Sequence, residues 1–483
     1  MKTRILCLLL AVMMTVPTAL CGCADGKPEV TTGAAEDTAD TTVPEAEDTS
    51  IKDDLPEVKF NGYTYRILGE GGPGWNASDI LRPETFTEDG LQDAKLKRYM
   101  NVEERFDVKI ETYLSDTVYT TVQSGILAND FSFDLICMST ANTFKASTAN
   151  LLLDLKSAPY LNTDQPYYDQ NYVADMSMAG KLFSAVTDII TMDMHVTWTM
   201  IYNRNLINKY DLESPYQLLK ENKWTLDKLN EMLRNISEEN GDGKWDEKDQ
   251  YGLAAHVGSA RNFFYAAGLS ICTKDTATDI PQITLDANSE KLNLVADKVA
   301  NMLYADNKTL MNTSIVEAFE EGRALFLAEI VGYLGRFREM KDDFGVIPYP
   351  KIDESQDRYY TTNDPCIMVF SLPAYTYKSD QLERSCIIFE GLCSESYNVV
   401  SPAYYIDVLS GKQTRYPEDY EMLELLRESR IYDFGLFNDI GSLTTIFSSL
   451  CSSAKPKTSS MLKAGVKSGT KRLAKILENY ESH

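Results

Sequence analysis

Residues 180–206 read GKLFSAVTDIITMDMHVTWTMIYNRNL, and their pattern indicates a crossing between two parts of the protein. An apolar run at 181–186 is followed by a polar break at Thr187 and Asp188, and a second apolar run ends at Tyr202. Short apolar runs that end in polar residues are typical of buried strands. The segment therefore predicts two buried strands with a carboxylate between them, where the chain passes from one lobe to another.

Strand and helix patterns alternate on the N-terminal side of this segment. Residues 63–68, 108–113 and 134–138 have strand character. A helical stripe lies between the first two of these strands, formed by Leu91, Ala94, Tyr99, Val102 and Phe106. This alternation is typical of an α/β lobe with a largely parallel sheet, in which ligands bind beyond the carboxyl ends of the strands. The rule points to the loop 70–75 and to residues 139–140.

Further elements follow the crossing. Thr225 is suited to cap a helix that starts at Leu226, and residues 292–303 carry a second helical stripe. Residues 317–326 predict a short helix, a glycine stop at Gly322 and a further strand.

Four segments resemble, in the same order, those of bacterial extracellular solute-binding proteins, the sugar-type binding subunits of ABC importers. They are the crossing itself, IYNRNLINKYDLESPYQLLKENKWTLDKL from 201, EAFEEGRALF from 317 and FGVIPYPK from 344. The resemblance spans about Tyr63 to the C-terminus. It implies an α/β fold of the type II periplasmic-binding-protein kind, with discontinuous lobes and a hinge. It also implies a small-molecule solute, favoured to be an oligosaccharide, and ABC permease subunits as partners of a monomer.

The resemblance implies that the strand after Gly322 returns to the first lobe. The crossing and this return strand give approximate lobe boundaries. The first lobe is expected to contain residues 57–185 plus 325–373. The second is expected to contain residues 186–324 plus 374–483 and to end in a Lys/Arg-rich helix.

The N-terminus predicts export. Lys2 and Arg4 precede an apolar run at 5–16, and Leu20-Cys21-Gly22-Cys23 resembles the lipobox of bacterial lipoproteins. Residues 1–22 are therefore expected to be a signal peptide, and Cys23 to carry the lipid that holds the protein on the extracellular face of the membrane. The alternative is ordinary secretion with Cys23 as a spare thiol. Residues 23–56, acidic and poor in large apolar side chains, predict a disordered tether.

Charge and residue counts exclude several classes of protein. The net charge is −25, which argues against nucleic-acid binding and against an electrostatic membrane-binding surface. His195, His256 and His483 fit neither a zinc site nor a Ser-His-Asp triad, so no enzyme is expected. A surface carbohydrate-active enzyme that uses two carboxylates, or a surface-binding lipoprotein without a transport role, stays as the alternative.

The six cysteines beyond the N-terminal region match no zinc spacing and mostly lie in apolar runs. They are expected to be buried free thiols, although a disulfide between some pair is an alternative. The residues are Cys137, Cys272, Cys366, Cys386, Cys393 and Cys451.

Residues 238–249 nearly fit a twelve-residue calcium loop. Gly243 stands at the sharp turn, Glu238 replaces the usual Asp at position 1, and Asp249 replaces the usual Glu at position 12. The predicted ligands of a structural Ca²⁺ are Glu238, Asn240, Asp242, the Lys244 carbonyl, Asp246 and Asp249. The alternative is a solvated acidic turn.

Sugar sites combine aromatic faces with carboxylates, amides and hydroxyls. The ligand-binding candidates chosen on this basis are Glu70, Trp75, Thr140, Asp188, Tyr333, Asp364, Tyr404 and Asn438. Tyr333 follows the return strand, where members of the family often hold a stacking tryptophan. Trp198 and Trp224 are expected to pack in the core instead.

Overall fold

Two β-sheets divide the chain into two lobes. The computed structural model describes residues 50–275, 277–407, 416–438 and 440–481. The first sheet has the strand order β12-β3-β1-β2, with β1, β2 and β3 parallel and β12 antiparallel to β3. Its strands are β1 (Tyr63–Glu70), β2 (Val108–Ser115), β3 (Leu135–Ser139) and β12 (Met368–Ser371).

The second sheet has the order β10-β4-β9-β5-β8, in which β5 is parallel to both β8 and β9. Its strands are β4 (Trp198–Asn203), β5 (Tyr251–Ala255), β8 (Thr309–Met311), β9 (Ala324–Ile330) and β10 (Phe344–Ile347). Two small ladders complete the pairing, formed by β6 (Cys272–Asp275) with β7 (Ile280–Ile283) and by β11 (Thr361–Thr362) with β13 (Arg430–Ile431).

Helices cover both sheets. In the first half of the chain they are α1 (Gly90–Phe106), α2 (Val118–Ala128), α3 (Thr140–Ser147), α4 (Gln170–Met176), α5 (Met192–His195), α6 (Arg204–Lys209), α7 (Pro215–Lys220) and α8 (Leu226–Met232). They continue with α9 (Val257–Ala260), α10 (Asn262–Ala266), α11 (Ser289–Tyr304), α12 (Ile315–Glu320), α13 (Ser379–Asp407), α14 (Pro417–Ser429), α15 (Phe434–Phe437), α16 (Ile446–Cys451) and α17 (Thr458–Glu481). Short 3₁₀ helices occupy Ala77–Ile80, Val331–Glu339 and Gly441–Leu443.

Helix α1 shows how the sequence builds the first lobe. Asp89 caps its N-terminus by accepting the Leu91 and Gln92 amides, and Asp107 ends it with a φ of 49°. The predicted apolar stripe is largely buried: Tyr99, Val102 and Phe106 are at most 1% exposed. This face packs against α13. Residues 379–407 therefore belong with the first lobe, and the prediction that residues 374–483 belong wholly to the second lobe is wrong.

Strands β9 and β10 also lie in a different sheet from the one predicted. β9 pairs with β4 and β5, and β10 pairs with β4, so both belong to the second sheet. The expected return to the first lobe at residue 325 is wrong, and the return strand is β12 instead. Every residue of β9 is buried, so its apolar pattern carries no information about which sheet it joins.

Three backbone pairings lie where the chain passes between the lobes. Residues 182–186 are buried, but they do not form the predicted strand. Ala185 forms only an isolated bridge with Phe370, beside the first sheet. Thr197 bridges Asn363, and the Thr197 hydroxyl contacts Asn363 Oδ1 at 2.8 Å. The third pairing joins β13 to β11. The second predicted strand of the crossing is β4.

The six cysteines in the described part of the chain are free thiols, and all but Cys366 are buried. In the same residues, no helix has the length and apolar character needed to cross a membrane.

Buried carboxyl groups predict how stability changes with pH. Burial raises the pKa of Glu390 to about 7, although the hydroxyls of Tyr167 and Tyr168 each donate to it at 2.5 Å. Burial also raises to about 6 the pKa values of Asp175, Asp188, Asp419 and Asp433. A carboxyl group whose pKa is higher in the folded than in the unfolded chain binds more protons when folded. Stability therefore falls as the pH rises between the two values.

We expect the melting temperature to be higher at pH 5.5 than at pH 7.5. Glu390→Gln should reduce this difference, because Glu390 alone contributes up to about 1.4 kcal/mol per pH unit in this range. Burial lowers the pKa of His195, so this residue makes stability rise with pH. The five buried carboxyl groups outnumber it. Thermal unfolding at both pH values checks the prediction. An equal pH difference in the wild type and in Glu390→Gln would contradict it.

Candidate functional site

The strand ends nearest the crossings face the space between the lobes. Glu70 ends β1 and Ser139 ends β3, on the first lobe. On the second lobe, Trp198 begins β4 opposite Ile330 at the end of β9, and His256 directly follows β5. Since the chain passes between the lobes at Trp198, these ends of the second sheet lie at the edge that faces the first lobe. We call this space the cleft.

The first-lobe side of the cleft contains three predicted residues. Glu70 Oε2 accepts the Ser139 amide at 2.7 Å, which joins the ends of β1 and β3. Trp75 is 48% exposed and lies on the loop that follows β1. Thr140 is buried, and its hydroxyl donates to the Pro365 carbonyl at 2.5 Å. Trp75 therefore has a free aromatic surface, whereas Glu70 and Thr140 brace the backbone of the site.

His195 connects the two sides of the cleft. Its ring lies edge-on to Trp75, with 5.6 Å between ring centroids. On its other side it packs against the backbone of Gly332, where a Cβ atom would collide with the imidazole. Trp75, His195 and Gly332 thus form a continuous contact from the first lobe through the crossing to the second lobe.

The second-lobe side of the cleft contains a compact group of polar and aromatic side chains, here called the cleft cluster. Its members are Trp198, His256, Arg261, Glu329 and Asp364. His256 Nε2 lies 3.2 Å from Glu329 Oε1, and the His256 ring lies edge-on to Trp198 at 5.7 Å. The Arg261 guanidinium is 5.9 Å from the Trp198 ring and forms an ion pair with Asp364 at 3.1 Å.

Two donors of the cleft cluster have no partner among the described residues. They are Trp198 Nε1 and Arg261 Nε, both inaccessible to solvent. Trp198 is 4% exposed, so the expectation that it packs in the core is met, yet its ring nitrogen is unused. A buried donor without an acceptor costs about 1–3 kcal/mol. The cluster therefore favours a ligand that brings acceptor oxygens.

Tyr333 lies beside this cluster, in the 3₁₀ helix after β9. Its ring is half-buried, and burial followed by the nearby charge of Glu329 raises the pKa of its hydroxyl. Asp364, the other predicted residue here, also accepts the Cys366 amide through Oδ1 at 3.1 Å. The structure thus brings Tyr333 and Asp364 to the same side of the cleft as the cleft cluster.

Two further predicted residues lie in a separate cavity. Asp188 and Tyr404 line a cavity of about 30 Å³ together with Arg427 and Arg430. Asp188 Oδ1 is 3.9 Å from Arg427, and Tyr404 belongs to α13 of the first lobe. Tyr404 therefore lies on the same lobe as Trp75, because α13 packs on α1.

Asn438, another predicted ligand-binding residue, directly follows α15. It is 4% exposed, and its Nδ2 donates to the Phe434 carbonyl at 3.0 Å within the turn that ends α15. The side-chain amide of Asn438 therefore satisfies a carbonyl group of α15.

The loop 238–249 closes through its own hydrogen bonds. Buried Asp249 accepts the amides of Asn240 at 2.9 Å and Asp246 at 2.7 Å through its two oxygens. Asn240, Asp242 and Asp246 each accept the amide two residues further on. Within the described ranges, no group of three or more His, Cys, Asp or Glu side chains is arranged to hold a metal ion. Calcium binding stays a prediction.

We expect a chelator to lower the melting temperature if Ca²⁺ bridges this loop, because the ion would join side chains from positions 1 to 12. Asp242→Ala should abolish that sensitivity. A thermal scan with and without chelator checks both expectations. Unchanged melting of the wild type would mean that the Asp249 hydrogen bonds alone hold the loop.

Several residues of the cleft were not among the predicted ligand-binding candidates: His195, His256, Arg261 and Glu329. The two histidines have no catalytic or metal-binding spacing, but each lies next to an apolar strand in a chain with three histidines. That position is the signal by which the sequence marks them. Arg261 and Glu329 carry no local motif, and only the sheet pairing brings them together.

Two α/β lobes, adjacent crossings and a polar and aromatic cleft between them define a two-lobed binding protein. The chain belongs to the bacterial extracellular solute-binding proteins, whose family profile matches residues 85–376. No curated protein sequence matches this chain significantly.

Solved structures share this fold at low sequence identity. A cyclo/maltodextrin-binding protein complexed with maltotetraose has a TM-score of 0.56 at 12% identity, covering 86% of this chain and 98% of that chain. UspC of M. tuberculosis has a TM-score of 0.55 at 13% identity, covering 84% and 99%. The apo-form of RafE from Streptococcus pneumoniae has a TM-score of 0.52 at 12% identity, covering 87% and 98%.

Proposed function

We propose that this protein captures a carbohydrate, an oligosaccharide, between its lobes and delivers it to the permease subunits of an ABC importer. Family membership supports solute binding and delivery. The sugar class is supported by a structural neighbour that was solved with maltotetraose. The protein performs no chemistry on the solute in this proposal and acts as a monomer.

The observation that carries the sugar assignment is the composition of the cleft. A sugar presents C–H faces that pack on aromatic rings and oxygens that accept hydrogen bonds. Exposed Trp75 and half-buried Tyr333 offer the rings. The unpaired N–H groups of Trp198 and Arg261 offer donors, while Glu329 and Asp364 can accept from hydroxyls.

A thermal-shift screen of oligosaccharides against the Cys23→Ala protein tests the proposal. At least one sugar should raise the melting temperature, and Trp75→Ala should weaken that sugar's binding. Trp245→Ala is the matched control, because Trp245 is 41% exposed but lies on the distant loop 238–249. Absence of a shift across the panel, or release of reducing ends from it, would contradict the proposal.

We further propose that Cys23 carries a lipid and holds the protein on the extracellular face of the cell membrane. Cys23 lies outside the described residues, as do the signal peptide and most of the tether, so the sequence at 20–23 supports this proposal. Cys23→Ala should abolish labelling by a fatty-acid analogue and release the protein from the membrane fraction. Labelling that persists in the variant would contradict it.

A further inference from the structure

The exposed face of the last helix carries a row of lysines. Lys463, Lys467, Lys471 and Lys475 follow one another at intervals of four residues along α17. Residues four apart lie on the same face of an α-helix, and all four side chains are exposed. We call this feature the lysine row. The acidic residues of α17 are Glu478 and Glu481, both in its last four positions.

The opposite face of α17 fixes the helix to the body of the protein. Leu462, Leu473, Ile476 and Tyr480 are each at most 7% exposed. The Tyr480 ring packs edge-on to Phe183 with 4.8 Å between centroids, and Lys181 Nζ donates to the Tyr480 carbonyl at 2.9 Å. The lysine row is therefore held in a fixed orientation, directed away from the core.

The lysine row is poorly compensated. Like charges four residues apart repel each other and destabilise a helix. None of the four lysines forms an ion pair with a carboxylate in the described part of the chain. The protein as a whole has a net charge of −25, so the lysine row is a local region of positive charge on an acidic protein. An external anionic surface would relieve the repulsion.

We infer that the lysine row docks on an anionic phospholipid surface and orients the protein on the membrane. A row of basic side chains spanning three helical turns presents its charges along a line, which suits a flat surface of phosphate headgroups. The proposed lipid at Cys23 would keep the protein near such a surface. The rest of the acidic protein would be repelled by it, so only the α17 face would approach within a screening length of about 8 Å. The inference does not depend on which solute the cleft binds.

Vesicle co-sedimentation of the Cys23→Ala protein tests this inference without the lipid anchor. The protein should bind vesicles containing phosphatidylglycerol, should not bind vesicles of phosphatidylcholine alone, and should dissociate at high salt. Replacing all four residues of the row with Gln should weaken the partition coefficient by about fivefold per lysine removed. The matched control replaces four scattered exposed lysines with Gln and changes the net charge equally: Lys97, Lys156, Lys209 and Lys378.

The control variant should bind the anionic vesicles as the wild type does. Equal loss in both quadruple variants, or equal binding to neutral and anionic vesicles, would overturn the inference. Binding to a soluble polyanion but not to anionic vesicles would also overturn it, because the partner would then be an acidic macromolecule. Circular dichroism of each variant should match that of the wild type, which checks that the helix content is unchanged.

Discussion

Replacing Arg430 with methionine should lower the free energy of unfolding by about 3–5 kcal/mol. Arg430 is 2% exposed, and its guanidinium lies 2.7 Å from Asp169 and 2.5 Å from Asp193. Asp169 caps α4 of the first lobe, Asp193 lies in the crossing, and Arg430 begins β13. Loss of the cation would leave two carboxylates of low exposure without a counter-charge where the lobes meet.

Arg336→Met provides the matched control. Arg336 also bridges two carboxylates, Glu317 at 3.0 Å and Glu320 at 2.9 Å, but its side chain is 42% exposed. Exposed pairs of this kind contribute at most about 1 kcal/mol. Denaturant unfolding of both variants should therefore separate them by several kcal/mol. Equal destabilisation would show that the ion triad of Arg430 does not hold the crossings together.

Replacing Trp198 with phenylalanine should weaken sugar binding by about 1–3 kcal/mol while the fold persists. Phenylalanine keeps the aromatic packing against His256 but removes the Nε1–H, which has no acceptor in the described part of the chain. If this group donates to a sugar oxygen in the closed cleft, the variant leaves that oxygen buried without a donor.

Trp224→Phe is the control for this change. Trp224 is fully buried, and its Nε1 donates to the Pro348 carbonyl at 2.8 Å. Trp224→Phe should lower the free energy of unfolding and leave the sugar affinity unchanged. Trp198→Phe should weaken the sugar affinity and leave the free energy of unfolding unchanged. Calorimetric titration with the best sugar from the screen measures both affinities. Unchanged affinity in Trp198→Phe would remove Trp198 from the binding site.

Helix α1 and strand β2 of the first lobe could be predicted from local pattern because they are amphipathic. The stripe from Leu91 to Phe106 has one apolar face, and burial alternates along residues 108–111 of β2. Strand β9 could be predicted as a strand, but every residue of it is buried. A strand that is apolar on both faces fits either sheet, so its partners depend on long-range pairing. The same limit applied to α13, whose apolar face could pack on either lobe.

The site could be predicted where residues follow a strand in sequence. This rule selects Glu70, Trp75 and Thr140. In the structure Glu70 ends β1, Trp75 lies on the loop after β1, and Thr140 directly follows β3. Arg261, in the turn between α9 and α10, and Glu329, in β9, are 68 residues apart in sequence. Only the parallel pairing of β5 with β9 brings these two parts of the chain together. Asp188 lies in the crossing, and its side chain lines the cavity beside Arg427.

Small-angle scattering with and without sugar tests most directly whether the two lobes close on a solute. Trp75 and Glu70 belong to the first lobe, and the cleft cluster lies on the side of the second lobe. A sugar that contacts both sides gains all its hydrogen bonds only when the lobes approach each other. We expect the radius of gyration of the Cys23→Ala protein to decrease at saturating concentrations of the sugar identified by thermal shift. An unchanged radius with a sugar that binds tightly, and whose affinity is unaffected by both Trp75→Ala and Trp198→Phe, would contradict binding in this cleft.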